Sequence, residues 1–139
     1  MSAETYAFST DIEVQISEID RGDHVNNAVF VEYLQQARIK YLDELVGYYD
    51  SDTYIVVVTL ELEFLKPVSW RETVTVDVRI PKLGTSSFCI EYRLRVGETV
   101  VARAETVMVT FDRASEESIP IPHSWRDRIE TDNNPFLVD

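Results

Sequence analysis

Lysine is scarce in this chain. Lys40, Lys66 and Lys82 are the only three in 139 residues, against ten arginines and 25 acids. A formal net charge of −12 excludes sequence-independent binding to nucleic acid or to an anionic membrane surface, since both need a basic face. An acid-rich, lysine-poor surface is instead what high cytoplasmic salt would screen, and it gives the expectation of a halophilic protein. Cysteine is nearly absent: Cys89 stands alone, which excludes an intrachain disulfide and fits a reducing compartment. His24, His123 and Cys89 lack any metal-binding spacing. Four glycines compose neither a phosphate loop nor a dinucleotide fingerprint. No apolar run approaches the roughly 18 residues of a membrane span. Residues 1–5 have neither the basic nor the apolar region of a signal peptide. The expected compartment is therefore the cytoplasm. No repeat, low-complexity stretch or linker divides the chain. The expected organisation is one domain over 1–139, with 113–139 as a C-terminal tail.

What remains is strong periodicity. Residues 6–16 alternate, with Phe8, Thr10, Ile12, Val14 and Ile16 on one face, as a half-buried strand does. Phe30, Tyr33, Leu34, Ala37, Tyr41 and Leu45 then recur at three- and four-residue steps, one stripe of a helix from about Asn27 to Val46. Asn26 or Asn27 is a candidate N-cap and Gly47 a natural stop. Further strands are expected over 55–64, 73–80, 88–96 and 100–111, with a break or bulge at Pro67 and a turn over 81–84. One or two helical turns are expected over 124–129. One long helix and one antiparallel sheet leave a single packing solution, in which the sheet wraps the helix. Its open edge strand invites pairing with a second copy.

The helix is preceded by a short loop carrying Asp20 and His24, four residues apart. An acid and an imidazole are thus delivered beside a helix N-terminus, where free N–H groups and the dipole favour developing negative charge. Each residue also has a plainer reading. Asp20 fits a loop acid, His24 a structural residue bonded to a carbonyl, and Asn27 a cap.

The stretch Asp20-x-x-x-His24-Val25-Asn26-Asn27-x-x-Phe30-x-x-Tyr33-x-x-x-Ala37-Arg38 resembles the signature of hot-dog-fold thioesterases of the 4-hydroxybenzoyl-CoA thioesterase type. The segments 83–88, 104–112 and 119–122 resemble the same family, in the expected order. The resemblance implies an α+β hot-dog fold, with about five antiparallel strands wrapped around one long central helix. It implies catalytic roles for Asp20, His24 and Asn27. Asp20 would be nucleophile on the thioester carbonyl or general base for water. His24 would assist, and the Asn27 backbone N–H would serve the oxyanion, two amides at the helix start being the expected donors. Gln35 would line the acyl pocket, while Lys82, Thr85, Ser86 and Ser87 would meet the pantetheine arm and phosphates of CoA, with Arg113 another candidate. Two positions depart from the pattern. The family's usual acid is missing at Gln35 or Gln36, which counts against a phenolic acyl group. Asp23 replaces the glycine before the histidine, with Gly22 one position early and expected to re-form the loop.

The expected function is hydrolysis of an acyl-CoA, or of an acyl-ACP, without a metal or redox cofactor; CoA arrives as part of the substrate. The resemblance also implies homodimers, or dimer-based tetramers or hexamers, with active sites at the subunit junction. A hot-dog dehydratase and a non-catalytic acyl-CoA-binding domain are the rival readings.

Overall fold

A computed structural model describes residues 5–138; the reading of the extreme N-terminus as lacking a signal peptide falls largely outside them. The elements are β1 (Phe8–Glu13), α1 (Asn27–Val46), β2 (Thr53–Phe64), β3 (Thr73–Leu83), β4 (Ser87–Val96), β5 (Thr99–Asp112) and α2 (His123–Asn133). The strands form one antiparallel sheet in the order β1-β3-β4-β5-β2. The α1 helix lies on the β1–β3 side of this sheet, with α2 packed beside it. This is the hot-dog arrangement. No helix among the described residues is long and apolar enough to cross a membrane.

The apolar stripe of α1 forms the core as its spacing predicts: Phe30, Tyr33, Leu34, Ala37, Tyr41 and Leu45 are all buried. Leu42 and Arg38 are buried with them. Arg38 donates to the Tyr92 hydroxyl (3.1 Å), which itself shares a hydrogen bond with Thr106 Oγ1 (2.8 Å). Thr106, fully buried, therefore serves as a polar anchor. Asn26 caps α1, its Oδ1 accepting from the Ala28 N–H (2.9 Å), and Gly47 ends it at φ 66°. Only glycine adopts that left-handed conformation without steric cost.

Three boundaries differ from the periodic reading, each for a local reason. β1 stops at Glu13 because the chain turns into a short 3₁₀ helix at Ile16–Glu18, leaving Ile16 62% exposed. β2 simply ends before Pro67; its bulge lies between Val57 and Thr59. β3 runs on through Pro81, which cannot donate to a ladder, by a bulge between Arg79 and Lys82.

That second bulge explains why α2 is eleven residues long rather than one or two turns. Asn133 is fully buried and accepts from the Ile80 N–H (2.8 Å) with its Oδ1. Its Nδ2 donates to the Tyr41 hydroxyl (2.8 Å) and to the Ile129 carbonyl (3.1 Å). One amide thus ties α2 to the bulged strand and to α1. Asn133→Ala orphans the buried Ile80 N–H and is expected to cost about 2 kcal/mol, read as a lower urea midpoint at unchanged slope.

On the outer sheet face Glu61 lies opposite Glu105, and Glu105 opposite Glu91. Like charges directly opposed across strands are destabilising; among the described residues Glu91 is relieved by a salt bridge to Arg79 at 2.8 Å. Together with the net charge of −12, this row predicts that multimolar KCl raises the melting temperature. A flat or falling curve in a thermal scan would remove the halophilic reading.

Candidate active site

The 3₁₀ turn and the α1 N-terminus hold the Asp20–His24 loop between them. The Asp20 N–H donates to the His24 carbonyl (2.9 Å) and the Asp23 N–H to the Asp20 carbonyl (3.1 Å), closing the loop on itself. The Gly22 N–H donates to Asp20 Oδ1 (2.9 Å), which orients the carboxylate. Ahead of the loop, Glu18 accepts from the buried Tyr33 hydroxyl (2.7 Å), and its carbonyl takes the Asn26 N–H (3.0 Å). Burial and the Glu18 carboxylate push the Tyr33 phenol well above its ordinary pKa, so it stays a donor. The loop is thereby pinned to the helix it precedes.

The left-handed turn falls on Asp23, at φ 64°, and not on Gly22. This corrects the expectation that Gly22 re-forms the loop, and it supplies the reason for glycine at this place in the related signature. Aspartate tolerates the conformation better than most side chains. A Cβ at position 22 would meet Asp20 Oδ1 at 3.4 Å, an ordinary contact, so the room around Gly22 does not by itself require glycine.

Asp20, His24 and Asn27 line one cavity of about 720 Å³. Asn26 takes the Ala28 amide with its side chain and the Val29 amide with its carbonyl (2.9 Å). The Asn27 N–H has no partner among the described residues. The helix start therefore offers one free amide rather than two. Asp20 and His24 are exposed, and His24 makes no side-chain hydrogen bond among the described residues.

Opposite these polar groups the cavity is walled by Phe30 and Phe64, whose rings meet edge to face at 5.4 Å, and by Leu65 and Pro67. Phe64 to Pro67 were not read from the sequence as site residues. They arrive because residues 68 and 69 are stitched to the loop: the Val25 N–H donates to the Val68 carbonyl (2.8 Å), and His24 bridges Ser69. The 42 residues between Val25 and Val68 carry no local signal of that contact. Arg21 and Lys66 complete the rim.

The expected substrate-binding residues do not join this cavity within one chain. Gln35 lines a groove of about 290 Å³ on the exposed side of α1, with Ile39 and Tyr49. Lys82 borders a cavity of about 470 Å³ with Cys89 and Phe136, and Thr85 another of about 630 Å³ with His123 and Arg126. Ser86 and Ser87 shape the β3–β4 turn, where the Gly84 N–H donates to the Ser87 carbonyl (2.7 Å) and the Ser86 carbonyl accepts from Thr110 (3.0 Å). Arg113 lies over the Tyr54 ring, 5.6 Å from its centroid. Burial and the nearby Glu105 push the Cys89 thiol up to about 12, so it is no nucleophile at neutral pH. No group of three or more His, Cys, Asp or Glu side chains arranged to hold a metal occurs among the described residues.

An antiparallel sheet wrapped around one long helix defines a protein of the hot-dog class. The family model of the thioesterase-like superfamily matches residues 14–129, and the chain belongs to that family. It stands thereby among thioester hydrolases. A 1,4-dihydroxy-2-naphthoyl-CoA hydrolase of Microcystis aeruginosa is 25% identical over 77 residues, 55% of this chain, and the match spans 56% of that relative's length. The long-chain acyl-CoA thioesterase FadM of Escherichia coli is 24% identical over 87% of this chain and 96% of its own. Among solved structures, a Thermus thermophilus thioesterase complexed with coenzyme A and zinc is 28% identical. It superimposes with a TM-score of 0.84 over 95% of this chain and 98% of that one.

Proposed function

We propose that this protein hydrolyses acyl-CoA thioesters to a free acid and CoA, with Asp20 as the reacting carboxylate and the Asn27 N–H as oxyanion donor. The observation that carries the proposal is the shared cavity of Asp20 and an unpaired helix-start amide. Named relatives act on aromatic and on long-chain acyl-CoA, and the wall of Phe30, Phe64 and Leu65 supports an apolar acyl group here.

Two routes use these atoms. In one, Asp20 attacks the carbonyl carbon, the C–S bond breaks, CoA leaves as the thiolate, and water hydrolyses the mixed anhydride. In the other, Asp20 takes a proton from water as the water attacks, and collapse of the tetrahedral oxyanion expels the same thiolate. In both, negative charge develops on the carbonyl oxygen, where a preorganised N–H stabilises it at no reorganisation cost. His24 lies on the same wall, able to position water or accept the proton. After single turnover in H₂¹⁸O, label in the Asp20 carboxylate identifies the anhydride route, because the general-base route delivers the water oxygen only to the product acid.

The working unit we propose is a homodimer formed along β2. This edge strand is twelve residues long, and Val56, Val57, Val58, Leu60 and Phe64 are all more than a third exposed. A long apolar edge left bare is an aggregation site, and pairing it with its twin would cover it. Phe64 ends the same strand, Leu65 follows it, and both wall the cavity, so the partner would lie against the acyl side of the site.

A hydrolysis screen across aliphatic and aromatic acyl-CoA thioesters, at low and at multimolar KCl, tests the proposal. Thiol release is expected. Binding of acyl-CoA without thiol release would establish the non-catalytic reading instead.

A further inference from the structure

We infer that Tyr33 and Glu18 are a positioning pair for the hydrolysis: Tyr33, anchored in the core, holds through Glu18 the turn that sets the gap between Asp20 and the Asn27 N–H. The inference rests on the thioesterase reading above and adds to it two residues that lie outside the cavity of Asp20.

The turn ahead of the loop has nothing apolar to seat it. None of Ile16, Ser17 and Glu18 is buried, and Ile16 is 62% exposed. Burial of apolar surface, the usual anchor of a segment, is missing where the reacting carboxylate lies only two residues further on. Hydrogen bonds at Glu18 take its place. Glu18 Oε1 accepts from the Tyr33 hydroxyl at 2.7 Å and from the Gln15 N–H at 2.8 Å. The Glu18 carbonyl accepts from the Asn26 N–H at 3.0 Å. The Gln15 bond is internal to the turn. The other two cross to α1, one to its cap and one to its body.

Tyr33 is suited to the task. It is fully buried, and its ring meets that of Phe30 edge to face at 5.9 Å. Phenylalanine would pack there as well. A buried hydroxyl costs free energy unless it is hydrogen-bonded, so the bond to Glu18 accounts for the oxygen. Burial and the Glu18 carboxylate raise the phenol above its ordinary pKa, and the donor therefore persists through the neutral range.

The spacing ties this pair to the chemistry. Two residues of chain from Glu18 to Asp20 reach at most roughly 7 Å, so a displaced Glu18 displaces the acid. Glu18 is also bonded to Asn26, the residue directly before Asn27. Its placement thus enters both sides of the gap in which the thioester carbonyl is held. Misplacing a reacting group by about 1 Å can cost on the order of a hundredfold in rate.

Tyr33→Phe removes one oxygen and keeps the ring that packs on Phe30, so the acyl wall is unchanged. On acyl-CoA its kcat is expected to fall about tenfold with KM unchanged, the pattern of lost positioning rather than lost binding. Glu18→Ala should lose a similar factor. Glu18→Gln, which keeps an oxygen for both donors, is expected to recover most of that loss. In the Asp20→Asn background Tyr33→Phe should cost less than on the parent, since one of the two positioned groups is already gone. A parental kcat in folded Tyr33→Phe overturns the proposal, and so does a loss that carries over in full to Asp20→Asn. Should Tyr33→Phe fail to fold, the Glu18 variants decide: recovery by glutamine upholds the pair, and equal kcat for Glu18→Gln and Glu18→Ala ends it. If the parental protein releases no thiol, the thioesterase reading fails, and amide hydrogen exchange then decides the clamp alone. Faster exchange at Asp20 and Asn26 in Tyr33→Phe, with Leu42 in the helix body unchanged, upholds it; equal exchange overturns it.

Discussion

Asp20→Asn is expected to lower turnover on acyl-CoA at least about a hundredfold, the scale of losing general-base help, with the fold intact. Asparagine keeps the size of the side chain and keeps an Oδ1 for the Gly22 N–H, which donates to that atom at 2.9 Å. The loop is otherwise closed by backbone bonds, Asp20 N–H to the His24 carbonyl and Asp23 N–H to the Asp20 carbonyl. Since Asp20 is exposed, the change removes charge without opening a core. What disappears is the negative charge that lets the carboxylate attack carbon or take the proton. The loss should fall on kcat, because neither the apolar wall nor the cationic rim is altered. A folded variant, checked by its urea midpoint, that turns over at the parental rate would show that Asp20 is not the reacting group.

The second large effect separates a backbone donor from the side chain that happens to share its residue. Asn27→Pro deletes a helix-start N–H that has no partner among the described residues. A lost oxyanion donor costs on the order of a hundredfold or more in rate. The site is unusually suited to the change. Asn27 is the first helical residue, where proline's fixed φ is already helical and no intrahelical bond is forfeited. The preceding Asn26 sits at φ −60°, ψ 137°, inside the extended region that a residue before proline must occupy. Asn27→Ala keeps the N–H and loses nothing in capping, since Asn26 is the cap; its turnover should stay close to parental. Equal rates for folded Asn27→Pro and Asn27→Ala would move the oxyanion donor elsewhere.

Local chemistry wrote much of this protein plainly. The α1 helix could be read end to end, because its apolar stripe, its asparagine cap and its Gly47 stop all act within a few residues of one another. Strand positions were legible from alternation, and so was the fold class, since a sheet with one long helix has few ways to bury both apolar faces. Asp20, His24 and Asn27 were visible because five residues of loop and one helix start keep them together whatever the rest of the chain does. Their catalytic roles were implied by resemblance and stand as proposals for mutagenesis.

Other features needed the chain to be folded. The length of α2 depends on Asn133 finding the Ile80 N–H, 53 positions away, and nothing near residue 133 announces a bulge in β3. The conformation of Asp23 depends on the closure of the loop around it, so a glycine one position early was misleading. The apolar wall and the cationic rim depend on the end of β2 being laid beside the start of α1 by Val25, Val68 and Ser69. By itself, then, the sequence determined what short-range periodicity, capping and loop closure can carry: one long helix, five strands and an acid poised at the helix start. Tertiary structure alone decided what faces that acid, because Phe64, Leu65 and Lys66 are brought to it by backbone pairing between distant segments, which no side-chain pattern encodes.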